Sequence, residues 1–248
     1  MLEIKNVSKT FNPGTVNAKT ALNGLNLTLN DGDFVTVIGG NGAGKSTMLN
    51  AVAGTIQVDT GSIILDGRDI TRLPEFKRAA YLGRVFQDPM MGTAATMQIE
   101  ENLALADRRG KRRTLHPGIT QADRERYIEQ LKILDLGLEN RMTAKVGLLS
   151  GGQRQALTLL MATLQKPELL LLDEHTAALD PKTAAKVLEA TQRIVEKNRL
   201  TTMMITHNMR DAITYGNRLI MMYEGHVAVD VSGEEKRHLT VEQLLELF

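Results

Sequence analysis

Residues 39–47 of this 248-residue chain read Gly-Gly-Asn-Gly-Ala-Gly-Lys-Ser-Thr. That spacing suits one chemistry, the holding of phosphate. Gly39, Gly42 and Gly44 let the backbone wrap closely and turn its N–H groups inward onto phosphate oxygens. Gly40, Asn41 and Ala43 complete the loop, and a helix beginning here adds its positive N-terminal end. Lys45 is placed to reach the β- and γ-phosphates of a nucleotide, the Ser46 hydroxyl to bind magnesium, and Thr47 to add hydrogen bonds. An ordinary glycine-rich turn has a similar composition, but it needs neither the strand before this loop nor the helix after it.

Four further groups have the right chemistry. Leu169–Leu172 followed by Asp173-Glu174 reads as a Walker B element, with Asp173 on the metal and Glu174 orienting or deprotonating a water. Alone, it is equally a pair of acidic residues opening a helix. Gln87 can ligate magnesium or position the water, or simply precede the turn at Pro89. His207 can contact the γ-phosphate, or merely sit before the next helix. Ser150-Gly151-Gly152-Gln153 is a second anion-grade backbone site, a serine cap over bare glycine amides. The plainer reading is a well-capped helix. One nucleotide does not need two such sites.

The elements that must carry these residues follow from periodicity. Half-buried strands are expected at Leu2–Val7 and Leu25–Leu29, and strands at Phe34–Ile38, Tyr81–Phe86, Leu169–Leu172, Met203–Ile205, Leu219–Met222 and Val227–Val231. Ser62–Leu65 with Asp66-Gly67 reads as part of a hairpin. The β-branched run Phe34–Ile38 suits a strand buried on both faces. Helices are expected from Ser46 to Ala53, Gln153 to Leu164, Pro181 to Asn198 and Met209 to Tyr215, with a short amphipathic one at Val241–Phe248. From about Met97 to Leu164 the period is helical, broken by a basic stretch over residues 108–113. This order predicts an α/β body with a helical insertion. Four strands then end in polar residues, the phosphate loop, Gln87, Asp173-Glu174 and Thr206-His207, where ligands of open α/β sheets bind.

Bulk properties bound the function. With 30 basic and 29 acidic residues the net charge is +1, so no overall field favours nucleic acid, and no nucleic-acid partner is expected. The absence of cysteine excludes disulfides and thiolate metal sites. No secretion signal opens the chain and no apolar run approaches the ~20 residues of a membrane helix, so an intracellular location is expected.

Together, Gly39–Thr47, Gln87, Leu149–Gln153, Asp173-Glu174, Ala178-Leu179-Asp180 and His207 resemble, in order and spacing over almost the whole chain, the ATPase subunit of an ABC transporter. The resemblance implies a P-loop NTPase (RecA-like) core with an N-terminal antiparallel β subdomain and an inserted α-helical subdomain. It implies one ABC ATPase domain over 1–248, with the core at 1–87 and 165–248 and the helical part at 88–164. It also implies ATP and Mg2+ as ligands, with Ser46, Gln87 and Asp173 at the metal and Lys45, Gln87, Glu174 and His207 in catalysis. In that family two copies dimerise head to tail, so Ser150, Gly151, Gly152 and Gln153 would close on ATP held by the partner's Lys45. Asp180 would lie in a loop crossing the interface, and Phe11 would stack on adenine, although a phenylalanine beside the first strand also suits the core.

Two positions depart from the family pattern: Gly40, where proline or serine is common, and His175, where proline usually follows the glutamate. Neither removes a catalytic group.

The resemblance further implies a peripheral position on the cytoplasmic side of the membrane, separate transmembrane permease subunits and a solute-binding protein. Asp-Glu-His-Thr, the Gln-Ile-Glu-Glu-Asn-Leu segment and the basic insertion are most similar to bacterial amino-acid uptake ATPases. An exporter ATPase of the same fold and a cytoplasmic ABC ATPase acting on ribosomes or DNA are the rival readings. The latter usually carries two cassettes or long coiled arms. A non-hydrolysing module would need damaged catalytic positions, and a GTPase would need an Asn/Thr-Lys-x-Asp signature that is missing. The 108–113 cluster reads first as a solvated loop and second as a face for lipid or permease. Met90-Met91 reads as docking surface or core filling.

Overall fold

The computed structural model describes residues 1–111 and 118–246. Strands β1 (Leu2–Phe11), β2 (Lys19–Leu29) and β3 (Phe34–Gly39) lead to helix α1 (Lys45–Ala53). Then come β4 (Thr60–Leu65), β5 (Arg68–Asp69), α2 (Glu75–Arg78) and β6 (Leu82–Val85). Helices α3 (Ile99–Asp107), α4 (Gln121–Lys132) and α5 (Gly151–Thr163) precede β7 (Leu169–Asp173). The chain continues through α6 (Pro181–Asn198), β8 (Thr202–Ile205), α7 (Met209–Thr214), β9 (Arg218–Tyr223), β10 (His226–Ser232), α8 (Gly233–His238) and α9 (Val241–Glu246).

An antiparallel sheet runs β2-β1-β4-β5, and a second sheet runs β10-β9-β3-β8-β7-β6. The second is parallel except for its edge strand β10. Between β6 and β7 the described residues add helices but no strand to either sheet. This is the α/β P-loop architecture that the resemblance implied, with an antiparallel sheet from the N-terminal third of the chain whose strands flank β3 and α1 of the core.

The parallel sheet is buried on both faces, and the leucine run of β7 shows how. Leu169 and Leu171 join one apolar cluster, with α1 and the antiparallel strands, while Leu170 and Leu172 join the other, with α3 to α6. Alternation along one strand thus splits a single apolar run between two cores. Because β3, β7 and β8 are parallel and in register, Asp173 lies beside Ile205 and the end of β3 falls at the same edge. Strands β3, β7 and β8 hold apolar groups and buried threonines up to that edge, where the acidic residues Asp173 and Glu174 follow.

Two elements differ from expectation. β2 begins at Lys19 rather than near Leu25, and its pairing with β1 carries several register shifts that hide the alternation. Helix α8 is polar throughout, so no hydrophobic period announces it. It forms because Lys236 turns inward and donates to Tyr215 O, to Gly216 O at 3.1 Å and to Thr36 Oγ1 at 3.3 Å. Burial pushes that ammonium down to about 8. The C-terminal helix is described as far as Glu246, and Leu247-Phe248 lie outside the described residues.

The C-terminal end of α1 is held by one buried arginine. Arg78 donates from Nη1 to Ala51 O at 2.7 Å and Val52 O at 2.8 Å, from Nε to Leu73 O at 2.8 Å, and from Nη2 to Thr71 O at 3.0 Å. The last carbonyls of a helix need such donors when buried. Arg78→Met should strip all four acceptors of their partner and lower unfolding stability by about 3 kcal/mol. Urea denaturation followed by circular dichroism measures it, and an unchanged midpoint would contradict the capping role.

Candidate nucleotide site

The phosphate loop is shaped by close backbone approach. Gly44, the cap of α1, is left-handed at φ 101°, and a Cβ there would meet Ala21 O of β2. Gly39 has φ 146°, and a Cβ there would run into Met222 O of β9. Both positions therefore exclude other residues on conformation and on space. Gly40 has ordinary φ and open space around its Cα, so the departure noted there costs the loop nothing.

Lys45 folds back onto its own loop, donating to Gly39 O at 2.7 Å and Gly40 O at 3.0 Å. Burial lowers its pKa, and the Glu174 carboxylate opposes that shift. Ser46 stays exposed at the start of α1 and Thr47 is half-buried. A cavity of about 350 Å³ is lined by Asn41 to Thr47, Glu174, Phe11 and Lys19. Phe11 is thus part of the site wall, 38% exposed, rather than core.

The ends of β7 and β8 meet at Glu174 and His207, while Gln87 and Asp173 line a cavity separate from that of the phosphate loop. The Glu174 carboxylate lies 3.4 Å from His207 Nδ1, bridging the ends of β7 and β8. Glu174 itself is held at φ 44°, a conformation a non-glycine residue adopts at a cost. Asp173 shares a second cavity, of about 670 Å³, with Gln87, Asn50 and Arg84. Gln87 is exposed, and the backbone before it is fixed by Gln155 Nε2 of α5 donating to Phe86 O at 3.0 Å.

Arg84 is a site residue that motif reading missed. It donates to Asn50 Oδ1 at 2.7 Å, reaches Asp173 Oδ2 at 3.4 Å, and its guanidinium lies 4.6 Å from the Phe86 ring centre. Burial raises the Asp173 pKa, and Arg84 pulls it back. Only the pairing of β6 with β7, which sets Arg84 beside Leu171, could have revealed the contact.

Ser150–Gln153 stands elsewhere. Ser150 caps α5, its Oγ accepting from Gln153 N at 3.3 Å while Gln153 Oε1 accepts from Ser150 N at 3.2 Å. Gly152 packs against the Thr183 methyl of α6, where a Cβ would not fit. Asp180 caps α6, accepting from Thr183 N at 3.1 Å. Neither segment lines the phosphate-loop cavity within one chain.

In the described part of the basic stretch Arg108 and Lys111 are exposed, and Arg109 is half-buried. Arg109 turns inward onto Ala162 O at 3.0 Å and Gln165 O at 2.9 Å, near the end of α5. Arg108 donates to Gly118 O at 2.6 Å, and Lys111 lies 3.4 Å from Asp107. Arg112 and Arg113 lie outside the described residues. Met90 and Met91 are exposed, whereas Met203, Met204, Met221 and Met222 are core.

Comparison with known proteins agrees with this geometry. The ABC transporter family profile matches residues 22–177. The chain is 47% identical, over 100% of its own length and 98% of the relative's, to a tyrosine transport ATP-binding protein of Clostridioides difficile (strain R20291). It is 34% identical to a spermidine/putrescine import ATP-binding protein, PotA, of Haemophilus influenzae, covering 95% of this chain but only 59% of that longer relative. Among solved structures, the dimeric post-hydrolysis ATP-binding cassette MJ0796, bound to ADP and Pi, superposes with a TM-score of 0.79 at 30% identity. That match covers 94% of this chain and 98% of the cassette.

His175, the second departure, is wholly buried behind Glu174. Thr191 Oγ1 spends its proton on Val187 O at 2.8 Å, so His175 Nε2, 3.1 Å away, is the donor to that hydroxyl. Burial depresses its pKa to about 4. A base with a depressed folded pKa takes up its proton more readily when unfolded, so stability falls as pH drops from 6.5 towards 4. This residue should account for on the order of 3 kcal/mol of the acid-side loss. His175→Gln should flatten that part of the stability–pH curve, measured by urea midpoints between those limits. An unaltered slope would refute the assignment.

Proposed function

The chain belongs to the ABC transporter family and is an ATPase of that kind, and from that premise we propose that it powers a bacterial importer of amino acids. The single observation behind the substrate class is the 47% identity to a tyrosine transport ATP-binding protein over essentially both full lengths. Tyrosine and related aromatic amino acids are therefore the first substrates to test.

In this reading Lys45, the loop amides from Gly39 to Thr47 and the N-terminal end of α1 hold the phosphates, and Phe11 supports the base. Glu174 accepts a proton from the attacking water, and His207, 3.4 Å from that carboxylate, keeps it oriented towards the terminal phosphate. Gln87 positions the same water. Phosphoryl transfer depends mainly on placement and electrostatics, which such fixed groups supply.

Ser46, Gln87 and Asp173 fit magnesium. All three present oxygen donors, and among the described residues no group of three or more His, Asp or Glu side chains could hold a metal unaided. Magnesium bound mainly by phosphate and water needs only such a sparse set. Bound there, it would neutralise charge on the phosphate oxygens.

A second copy would complete each site, bringing Ser150, Gly151, Gly152 and Gln153 onto the nucleotide, with Asp180 at the junction. Isologous two-fold pairing makes such an exchange reciprocal. Among the described residues no helix is long and apolar enough to cross a membrane, so the translocation path would belong to a separate permease. Exposed Phe76, Met90 and Met91 suit docking to it at the cytoplasmic face, with a solute-binding protein delivering the substrate. The domain organisation follows: a core of 1–87 and 165–248 and a helical part of 88–164.

Two measurements test the reading. Glu174→Gln should keep ATP affinity, cut turnover about a hundred-fold or more, and trap a dimer on light scattering with ATP; near-normal turnover would reject the role. Deleting the chain should abolish uptake of labelled tyrosine or another amino acid. Undiminished uptake of every amino acid tested would rule out the substrate class.

A further inference from the structure

The antiparallel pairing of β1 with β2 sets Phe11 directly opposite Lys19 at the end of the ladder. Directly opposed residues share one face, with Cβ atoms about 5 Å apart. That face looks onto the phosphate loop. Both side chains line the cavity of about 350 Å³, and the Lys19 ammonium lies 2.9 Å from where a Cβ on Gly42 would stand.

The other cations nearby are already engaged. Lys45 is bonded to Gly39 O and Gly40 O. Lys9, whose ammonium lies 5.8 Å from the Phe11 ring centre, is paired with Asp59 at 2.8 Å. Among the described residues Lys19 forms no ion pair with a carboxylate. Its charge therefore stands unneutralised beside amides arranged for anions, on the wall that also carries the exposed ring.

We propose that Lys19 binds the nucleotide, its ammonium pairing with the phosphates nearest the nucleoside while Phe11 carries the base. The ladder position decides which phosphates. A lysine opposite the ring on which a base rests reaches the 5′ end of the phosphate chain, whereas the terminal phosphate falls to Lys45 and the Glu174–His207 edge. This rests on the reading of the loop as an ATP site. It makes the antiparallel sheet a contributor of charge as well as of a stacking surface.

The test is calorimetric titration of the intact chain with ADP, and with ATP in the Glu174→Gln background, each with magnesium. Lys19→Gln should weaken ADP and ATP by the same factor, about three- to ten-fold. Lys19→Arg, which keeps the charge, should stay within about two-fold. Unchanged affinity for both nucleotides overturns the proposal. So does a loss confined to ATP, which would put Lys19 at the terminal phosphate. Equal losses in the Gln and Arg variants with a lowered unfolding temperature would make its role structural and overturn it too. Lys45→Ala serves as the separate control: if it abolishes binding while Lys19→Gln leaves both affinities unchanged, the loop reading stands and this proposal falls. A chain that binds neither nucleotide overturns both.

Discussion

The constraint on which the site depends is the backbone-on-backbone fit around the phosphate loop. Gly39 is pressed on the Met222 carbonyl of β9, Gly44 on the Ala21 carbonyl of β2, and Gly225 N donates to Ala43 O at 3.0 Å. The loop is thus clamped between the parallel sheet and the antiparallel one; Ala43 N donates to Gly40 O at 3.2 Å, and the amides of Asn41, Gly42 and Gly44 are left for a ligand. A loop free to relax would turn those N–H groups to water or to its own carbonyls. Held this way, it keeps them convergent, which is what binding a polyanion requires. The Lys45 ammonium rests on two loop carbonyls, a hydrogen-bonded position that phosphate oxygens can take over.

The same clamp explains what could be read from sequence. The phosphate loop, Asp173-Glu174 and Ser150–Gln153 are local, their chemistry written within a few neighbouring residues. The strands that carry them announce themselves through unbroken apolar runs. Arg84, Lys19, Arg78 and Lys236 were not legible, because each acts through a partner set by packing. Arg84 reaches Asn50 and Asp173, 34 and 89 positions away. Lys236 crosses 200 positions to Thr36. Lys19 gains meaning only from the register that sets it opposite Phe11. In sequence such residues look like ordinary surface charge, and α8 looks like a polar loop.

Polar links tie the site to the rest of the fold in a specific pattern. Asn50, one turn beyond Ser46 on α1, shares that helix face and binds Arg84, which stacks on Phe86 and reaches Asp173. Gln155 on α5 then bonds Phe86 O. The helix opened by Ser150–Gln153 is therefore joined through one side chain to the backbone that carries Gln87, and through Arg84 to Asp173. A displacement of α5 cannot leave the end of β6 unaffected unless the Gln155 bond breaks, which would strand a buried polar group. The contact is one polar link, beside apolar packing, between α5 and the end of β6.

That link bears on why one chain holds two anion-grade backbone sites. In the single chain the Ser150–Gln153 cap is satisfied by itself, and Gly152 is occupied by packing on Thr183. Gly151, however, is exposed, and the N-terminal end of α5 does not line the phosphate-loop cavity. Capping alone would tolerate many residues at Gly151, where a Cβ would meet only Leu179 at an ordinary 3.4 Å. A bare amide at an exposed helix start gains value where something must approach closely, and the second nucleotide-bearing copy proposed above would provide that approach. The dimeric cassette with which the chain superposes shares its fold over 98% of that cassette's length, in keeping with the reciprocal closure proposed above. Closure would then act on Gln87 and Asp173 through Gln155 and Arg84, linking arrival of the second copy to the arrangement of the groups that cleave the nucleotide.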